Sequence, residues 1–407
     1  MHVLFLEPSF PKNQREFVRG LKMAGAYVTG IGETPADSLS PDVKRWLDGY
    51  EQVRSVVDEK ALLECVQRVQ ARGWVDRFEA TVEAHVMAAA HVREVTDIPG
   101  TTARTAWLCR DKPAMKDELR RVGVPCAQST GAKSAAEVAS FAERVGYPLI
   151  LKPTAGAGAA GATRVDNREE LDAAIGKLGV DKGATIAVEE FIAGHEGFYD
   201  TLTCAGKVVF DFASHYYPNV LDAMRTRWIS PQIVVTNRLD SAKGYGEVKE
   251  MGRKVIEALG IWTSATHMEW FFGDKGLKFS EIGCRPPGVG LWDMYAAANE
   301  IDIFHEWGKL IVNGHTEGKL SRRYAAGMIA LRPDRDGRLT SVEGVDRVRR
   351  KFAQWWIDDH VPEVGTATQG VEAGYMANAW IRLRHPDYDE LRKMLDEVGE
   401  TVKLRAS

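Results

Sequence analysis

The chain has 407 residues, a length that suggests about two to four domains or subdomains. Its apolar share of 44% and charged share of 27% are typical of a globular protein with a sizeable core. A net charge of −4 argues against nucleic acid or an anionic membrane as the main partner, and no apolar stretch approaches the roughly 18 residues of a membrane span. Five scattered cysteines without a C-x-x-C pair argue against structural zinc and favour a reducing, cytoplasmic location.

The first 96 residues alternate short apolar runs with segments of helical apolar spacing. Such alternation predicts a parallel α/β domain, because strands linked by helices pair in parallel. Isoleucine, proline and glycine at 98–100 mark its end, since both proline and glycine punctuate regular structure. The predicted strands lie at 2–6, 27–31, 52–57 and 75–80, and the predicted helices at 13–24 and 59–71.

The remainder is predicted to mix helices with paired strands, and a further α+β unit begins near residue 324. Ser134 and Asn167 each precede a helical pattern, and their side chains suit the free N–H groups of a first helical turn. The predicted helices are 111–121, 134–144, 167–178 and 246–259, and the predicted strands are 147–152, 185–192, two within 201–212, 266–272 and 277–282.

A glycine-rich loop follows the strand that ends at Lys152. Gly156, Gly158 and Gly161 formally match G-x-G-x-x-G, the dinucleotide-binding fingerprint. That fingerprint opens a helix at once, whereas here residues 162–165 look extended and the helix begins only near Asn167. A hairpin whose backbone N–H groups cover phosphates is therefore favoured over a dinucleotide turn, and a plain surface hairpin is the alternative.

Charged side chains inside apolar segments supply candidate chemistry. Lys112 and Lys152 are placed to face phosphates, although a lone lysine is usually solvated. Glu269 and Glu281 interrupt two apolar strands joined by a tight turn, so their carboxylates are expected to converge. Mg²⁺ bound with substrate phosphates needs such oxygen ligands, and two independent ion pairs are the alternative. Arg285 follows four residues later, within reach of a transferring phosphoryl group or an oxyanion.

In this order the motifs resemble those of the ATP-grasp superfamily, closest to the carboxylate–amine ligases that include biotin carboxylase and the bacterial amino-acid ligases. They are Asp111-Lys112, Lys152-Pro153 with the glycine loop, the segment 189–192 with Glu196, and the two strand carboxylates with Arg285. The resemblance implies an ATP-grasp fold of mixed α/β and α+β subdomains. Its implied parts are a Rossmann-like pre-ATP-grasp domain at 1–96, subdomain A with the glycine-rich lid at 97–187, subdomain B with the Mg²⁺ site at 188–323, and a C-terminal unit at 324–407.

The resemblance also implies a role for each matching residue. Lys112 and Lys152 would contact the α- and β-phosphates of ATP, under a mobile lid that contains Gly156, Gly158 and Gly161. Adenine would meet Glu189, the backbone of Glu190 and Ile192 beside Phe191, and the ring of Phe271, whereas Glu196 would bind ribose. Glu269 and Glu281 would hold Mg²⁺, or Mn²⁺ in its place. Arg285 would steady an acyl-phosphate, with Lys152 as a second catalytic group.

The sequence leaves two points undetermined: the effect of one departure from the family's metal-ligand pattern, and the identity of the substrates. The family commonly has asparagine as a further metal ligand where this chain has Gly283. His215, His267, Gly288 and Trp292 are candidate substrate residues, together with Arg285. The predicted function is ATP-dependent joining of an amino acid or similar small acid to an amine, with a homodimer as the candidate assembly. The alternatives are an ATP-binding module that has lost catalysis, a phosphotransferase, and an NAD-dependent dehydrogenase.

Overall fold

A computed structural model describes residues 1–154 and 161–407. The first domain is a four-stranded parallel sheet in the order β3-β2-β1-β4. The strand–helix alternation that predicted this sheet is confirmed, although β3 lies at Gly49–Gln52, just before the predicted range of 52–57. Its elements are β1 His2–Leu6, α1 Gln14–Met23, β2 Tyr27–Gly32, α2 Pro41–Lys44, β3 Gly49–Gln52, α3 Glu59–Gln70, β4 Arg77–Glu79 and α4 Val86–Val95.

A small antiparallel sheet in the order β5-β8-β6-β7 follows. Ser134 and Asn167 cap α7 and α8 as predicted, because their side-chain oxygens accept from the N–H groups of Glu137 and Glu170. The predicted boundary at 187/188 falls inside β8, which pairs with β5 and β6. The elements are α5 Ala103–Leu108, α6 Lys112–Arg121, β5 Ser129–Ala132, α7 Ala135–Val145, β6 Leu149–Pro153, β7 Thr163–Val165, α8 Arg168–Lys177 and β8 Ile186–Glu190.

The largest sheet has eight strands in the order β13-β12-β9-β10-β11-β14-β17-β16, so the predicted C-terminal unit contributes three of its strands. Among the described residues, no helix is long and apolar enough to cross a membrane. The elements are β9 His195–Cys204, β10 Lys207–Tyr217, α9 Val220–Ala223, β11 Gln232–Val235, α10 Tyr245–Ala258, β12 Ser264–Gly273, β13 Gly276–Gly283, α11 Leu291–Asn299, α12 Ile303–Asn313, β14 Ala325–Leu331, β15 Leu339–Glu343, α13 Val345–Lys351, β16 Trp356–His360, β17 Ala379–His385, α14 Tyr388–Thr401 and β18 Lys403–Ala406.

Helices α1 and α12 join the first domain to the large sheet. They cross at Gly20 and Gly308, where a β-carbon on either residue would overlap the backbone of the opposite helix. Phe17 then packs against Trp292, Phe304 and Trp307, with ring centroids 4.8, 5.0 and 5.1 Å apart. This aromatic core packs α1 of the first domain against α11 and α12.

Candidate active site

Two carboxylates face each other across the hairpin of β12 and β13. Glu269 lies directly opposite Glu281 in the strand register, as the sequence predicted for strands joined by a tight turn. Opposite residues of an antiparallel pair share a face, so both side chains line one cavity. We call it the lysine cavity; its wall includes Lys116, Lys152, Glu189, Glu190, Phe191, Ile192, Glu196, Glu269, Phe271 and Glu281.

The alternation of strand side chains brings further predicted residues to this face. Phe271 lies two residues after Glu269, and Glu196 lies opposite Phe271 on β9. The Glu196 carboxylate accepts a 2.7 Å hydrogen bond from Val220 N–H. Burial, together with the negative charges of Glu269 and Glu281, raises the pKa of Glu196 to about 8. The three carboxylates therefore lie close enough together to affect one another's ionisation, and such a concentration of acidic oxygens suits a divalent cation.

Lysines of the small sheet and of α6 pair with two carboxylates of the lysine cavity, Glu281 and Glu189. The ammonium group of Lys112 lies 3.1 Å from Glu281 Oε2. Lys152 and Lys116 both contact Glu189, at 2.9 and 2.7 Å. Lys116 was not predicted, but it lies four residues after Lys112 and so shares its face of α6.

Glu189 has contacts that the sequence did not predict. Its carboxylate is buried and lies between the ammonium groups of Lys116 and Lys152, and the residue also lines the lysine cavity, where its contact with adenine stays a prediction. Burial alone would raise its pKa, but Lys116 and Lys152 outweigh that effect and lower the pKa of Glu189 to about 2. The group is therefore a permanent anion that offsets two buried cations.

The segment after β8 forms the remaining wall. Glu190 N–H donates to Gln128 O at 2.8 Å and Phe191 N–H donates to Pro148 O at 3.1 Å, which turns Phe191 and Ile192 toward the cavity. The guanidinium of Arg164 lies 4.2 Å from the Phe191 ring. An apolar wall next to a charged floor is the arrangement that a nucleotide base and its phosphates require.

The glycine loop connects two paired strands. Strands β6 and β7 are antiparallel with Leu149 opposite Val165, which confirms the predicted hairpin. Helix α8 begins only at Arg168, so the dinucleotide fingerprint is not supported. Gly161 has a φ of +76° beside Pro153. Gly156 and Gly158 lie outside the described residues.

His267 supports Glu269 from the same strand face. Its Nδ1 lies 2.7 Å from Asp200 Oδ1, and its Nε2 lies 3.6 Å from Glu269 Oε1. Burial lowers its pKa, but the two carboxylates outweigh burial and raise the pKa of His267 to about 9. Asp200 also accepts a hydrogen bond from the Tyr295 hydroxyl. His267 is therefore an imidazolium held beside a candidate metal ligand.

Arg285 lies on the wall of a second cavity of about 920 Å³. Its Nε donates to Glu83 Oε2 at 3.0 Å, and Glu83 belongs to the first domain. A β-carbon at Gly283 would lie 3.4 Å from that same oxygen. Position 283 therefore lies within van der Waals distance of the Glu83–Arg285 pair. Gly288 also lines this second cavity, which we call the arginine cavity.

Two predicted substrate residues lie elsewhere. His215 is opposite Gly197 on β9, so it faces the side of the sheet away from Glu196, where it bonds His195 and Tyr245 at 2.8 and 2.6 Å. Trp292 is 4% exposed and packs on Phe17 in the core. The prediction missed that strand alternation separates His215 from the site and that α11 turns Trp292 inward.

The carboxylates fit Mg²⁺ as a two-ligand site. Within residues 1–154 and 161–407, no group of three or more histidine, cysteine or acidic side chains is arranged to hold a metal ion. Mg²⁺ bound with substrate phosphates commonly uses only one or two protein carboxylates and fills its other positions with phosphate and water. Glu269 and Glu281 supply that number, and they face each other across the hairpin.

Comparison with known proteins agrees with this geometry. Residues 117–300 match the family described as the ATP-grasp domain. The L-arginine-specific L-amino acid ligase of Bacillus subtilis is 26% identical over 271 residues, which are 65% of this chain and 64% of that ligase. The chain spans between about half and just under two thirds of the length of the curated relatives that it matches.

Two solved structures share the fold. The L-amino acid ligase from Bacillus licheniformis superposes with a TM-score of 0.79 at 17% identity, covering 100% of this chain and 98% of that one. The biotin carboxylase domain of the Hydrogenobacter thermophilus 2-oxoglutarate carboxylase, solved with MgADP, gives a TM-score of 0.68 at 17% identity, covering 99% and 90%. This chain therefore carries an ATP-grasp domain at residues 117–300.

Proposed function

We propose that this protein is an ATP- and Mg²⁺-dependent ligase that joins a carboxylate to an amine through an acyl-phosphate and releases ADP and phosphate. The observation that carries the proposal is the opposed pair Glu269 and Glu281, with Lys112 in contact with Glu281. The names of the relatives, which include amino-acid ligases, support an amino acid or similar small acid as the carboxylate.

Each side of the lysine cavity has a separate task in this proposal. Phe191, Ile192 and Phe271 form the wall for adenine, and Glu196 accepts from ribose hydroxyls. Lys112 and Lys152 offer point charges to the phosphates. Mg²⁺, held by Glu269 and Glu281, would neutralise phosphate charge when bound.

The reaction would proceed between Glu281, which lines the lysine cavity, and Arg285, which lines the arginine cavity. The substrate carboxylate attacks the γ-phosphate, and the lysine ammonium groups spread the charge that develops. The amine then attacks the acyl-phosphate carbonyl, and the Arg285 guanidinium donates to the resulting oxyanion before phosphate leaves. Glu83 keeps that guanidinium oriented, because its carboxylate accepts from Arg285 Nε.

ADP release with Mg²⁺-ATP, measured against amino acids singly and in pairs, tests this function. Turnover that requires a pair and is lost in Glu281→Gln would support the ligase. A stable phosphorylated product from a single substrate would instead indicate a phosphotransferase. Nucleotide binding without ADP release in any pool would indicate a module that has lost catalysis, and absence of ATP binding would contradict the proposal altogether.

A further inference from the structure

A tyrosine of the C-terminal unit packs on the face of the large sheet that carries the carboxylates of the lysine cavity. Tyr216 of β10 faces the side of Glu196, because strand alternation turns its neighbour His215 to the other side. The Tyr375 ring lies 6.2 Å from the Tyr216 ring, and Tyr375 is 7% exposed. Its hydroxyl is buried and has no hydrogen-bond partner within residues 1–154 and 161–407. Burial raises the pKa of Tyr375, and the charge of Glu196 adds to the rise, so the hydroxyl lies near the lysine cavity.

Arg332 reaches the same face from the end of β14. The strand register pairs Tyr216 with Ile233 of β11 and Ile233 with Met328 of β14, so these three side chains share a face. Arg332 follows Met328 by an even number of residues and therefore continues that face. Burial lowers the pKa of Arg332, whereas the neighbouring Tyr375 opposes this effect. The guanidinium and the buried hydroxyl therefore lie near each other.

The guanidinium of Arg332 is only partly satisfied by the protein. Its Nη1 donates to the carbonyl oxygens of Ala223 and Thr226 at 2.5 and 2.7 Å. Its Nη2 is buried without a hydrogen-bond partner, and no carboxylate pairs with the side chain in the part of the chain that the structure describes. The nearby Arg227, by contrast, is paired with Asp336. Because arginine stays protonated in proteins, a partly buried guanidinium without a counter-ion favours the binding of an anion.

We propose that Arg332 and Tyr375 bind an oxyanion, a carboxylate or phosphate group of a ligand that lies beside the nucleotide. The Arg332 Nη2 and the Tyr375 hydroxyl would both donate to this group, and hydrogen bonds to an ionised acceptor are the strong ones. Helix α9, whose last carbonyl accepts from Arg332, begins at Val220 in the wall of the lysine cavity. The inference rests on the proposed function, because it treats the oxyanion as a group of a substrate that does not itself react.

Isothermal titration calorimetry of the full chain with Mg²⁺-ADP tests this binding independently of catalysis. The probes are inorganic phosphate, the standard amino acids added singly, and the carboxamide of each amino acid that binds. Tyr375→Phe is expected to weaken the binding of the oxyanion by about tenfold, and Arg332→Lys, which loses the second donor nitrogen, by a similar factor. An amino acid that loses affinity as its carboxamide, with that difference reduced in Tyr375→Phe, identifies a carboxylate. Weaker binding of phosphate in the variant identifies a phosphate group.

A stability measurement separates binding from a structural role. Tyr375→Phe removes a buried hydroxyl that has no partner, so the free energy of unfolding in urea, without ligand, should stay the same or rise. Tyr388→Phe is the matched control, since its hydroxyl is bonded to that of Tyr217 at 2.8 Å; it should lose stability and keep its affinity for every probe.

Three results would overturn the proposal: a loss of stability in Tyr375→Phe without ligand, unchanged affinity for every probe in that variant, or no binding of any probe by the unaltered chain. Binding that depends on Tyr375 but never leads to ADP release would leave the oxyanion site standing while refuting the ligase. Ligase turnover with an unchanged KM for both substrates in Tyr375→Phe would refute the oxyanion site alone.

Discussion

Glu83 Oε2 accepts a 3.0 Å hydrogen bond from Arg285 Nε, although 202 residues separate the two in the chain. The same Glu83 is held in turn by Arg110, whose Nη1 donates to its backbone carbonyl at 2.8 Å. The first domain therefore orients the arginine that we assign to the transfer step. A domain that contributes little to the lysine cavity thus has a direct part in the proposed chemistry.

Glu83→Ala is expected to lower kcat about tenfold, or about 1.4 kcal/mol in activation free energy, because Arg285 loses its partner. The KM for ATP should change little, since the lysine cavity is untouched. Glu83→Gln should restore part of kcat, because its amide oxygen still accepts from Arg285. Steady-state kinetics measure both constants. The control is Glu59→Ala, because Glu59 forms an exposed ion pair with His91 in the same domain. An equal loss in the alanine and glutamine variants would count against positioning.

Glu269→Gln and Glu281→Gln are each expected to cut ADP release by about a hundredfold or more, since either change would remove a charged group from the proposed metal site. Titration with Mg²⁺ should show a higher half-saturating concentration in both variants. Asp274→Asn, at the turn of the same hairpin, removes a carboxylate without touching the site and should behave like the unaltered chain. Chelation of divalent cations by EDTA should abolish turnover, and turnover in its presence would refute a metal requirement.

Gly290→Ala is expected to destabilise the fold. Gly290 has a φ of +63°, and a β-carbon there would overlap Arg382 Nη2. Backbone strain and the displaced buried guanidinium together should cost about 2–4 kcal/mol of unfolding free energy. Urea denaturation measures this cost. Gly288→Ala, where a β-carbon meets nothing within 4 Å, should lose far less, and equal losses would contradict the argument.

Glu189→Gln should give a pH-dependent loss of stability. The lysines hold the pKa of Glu189 at about 2, below its ordinary value of 4.5, so its contribution is complete above 4.5 and is lost as pH falls toward 2. The difference in unfolding free energy between the unaltered chain and the variant should be large at pH 7 and shrink between pH 4.5 and pH 3. A difference that does not depend on pH would disprove this account, and Glu190→Gln serves as the comparison.

Several features of the structure could be predicted from the sequence because they depend only on residues that are close together in the chain. Glu269 and Glu281 flank a tight turn, so hairpin pairing brought them together as predicted. The hairpin around the glycine loop and the caps at Ser134 and Asn167 depend on a few neighbouring residues. The predicted ATP-grasp domain and its fold were confirmed as well, because both were predicted from short motifs that follow one another in a fixed order along the chain.

The tertiary structure decided what depends on distant segments. Strand alternation sends His215 to the opposite face from Glu196, and the packing of α1 on α12 buries Trp292. Glu189 on β8 contacts Lys116 of α6 and Lys152 of β6, and both contacts depend on how these elements pack together.

The arginine cavity shows the same limit most clearly. Asp293, Asp358 and Arg382 come from a helix and two strands, and Glu83 reaches Arg285 from another domain. No spacing in the sequence encodes such contacts, because their distances are set by how the sheet and helices pack. The sequence by itself predicted the ATP-grasp fold and the local pairs of the lysine cavity; packing between remote elements determined the contacts of the arginine cavity.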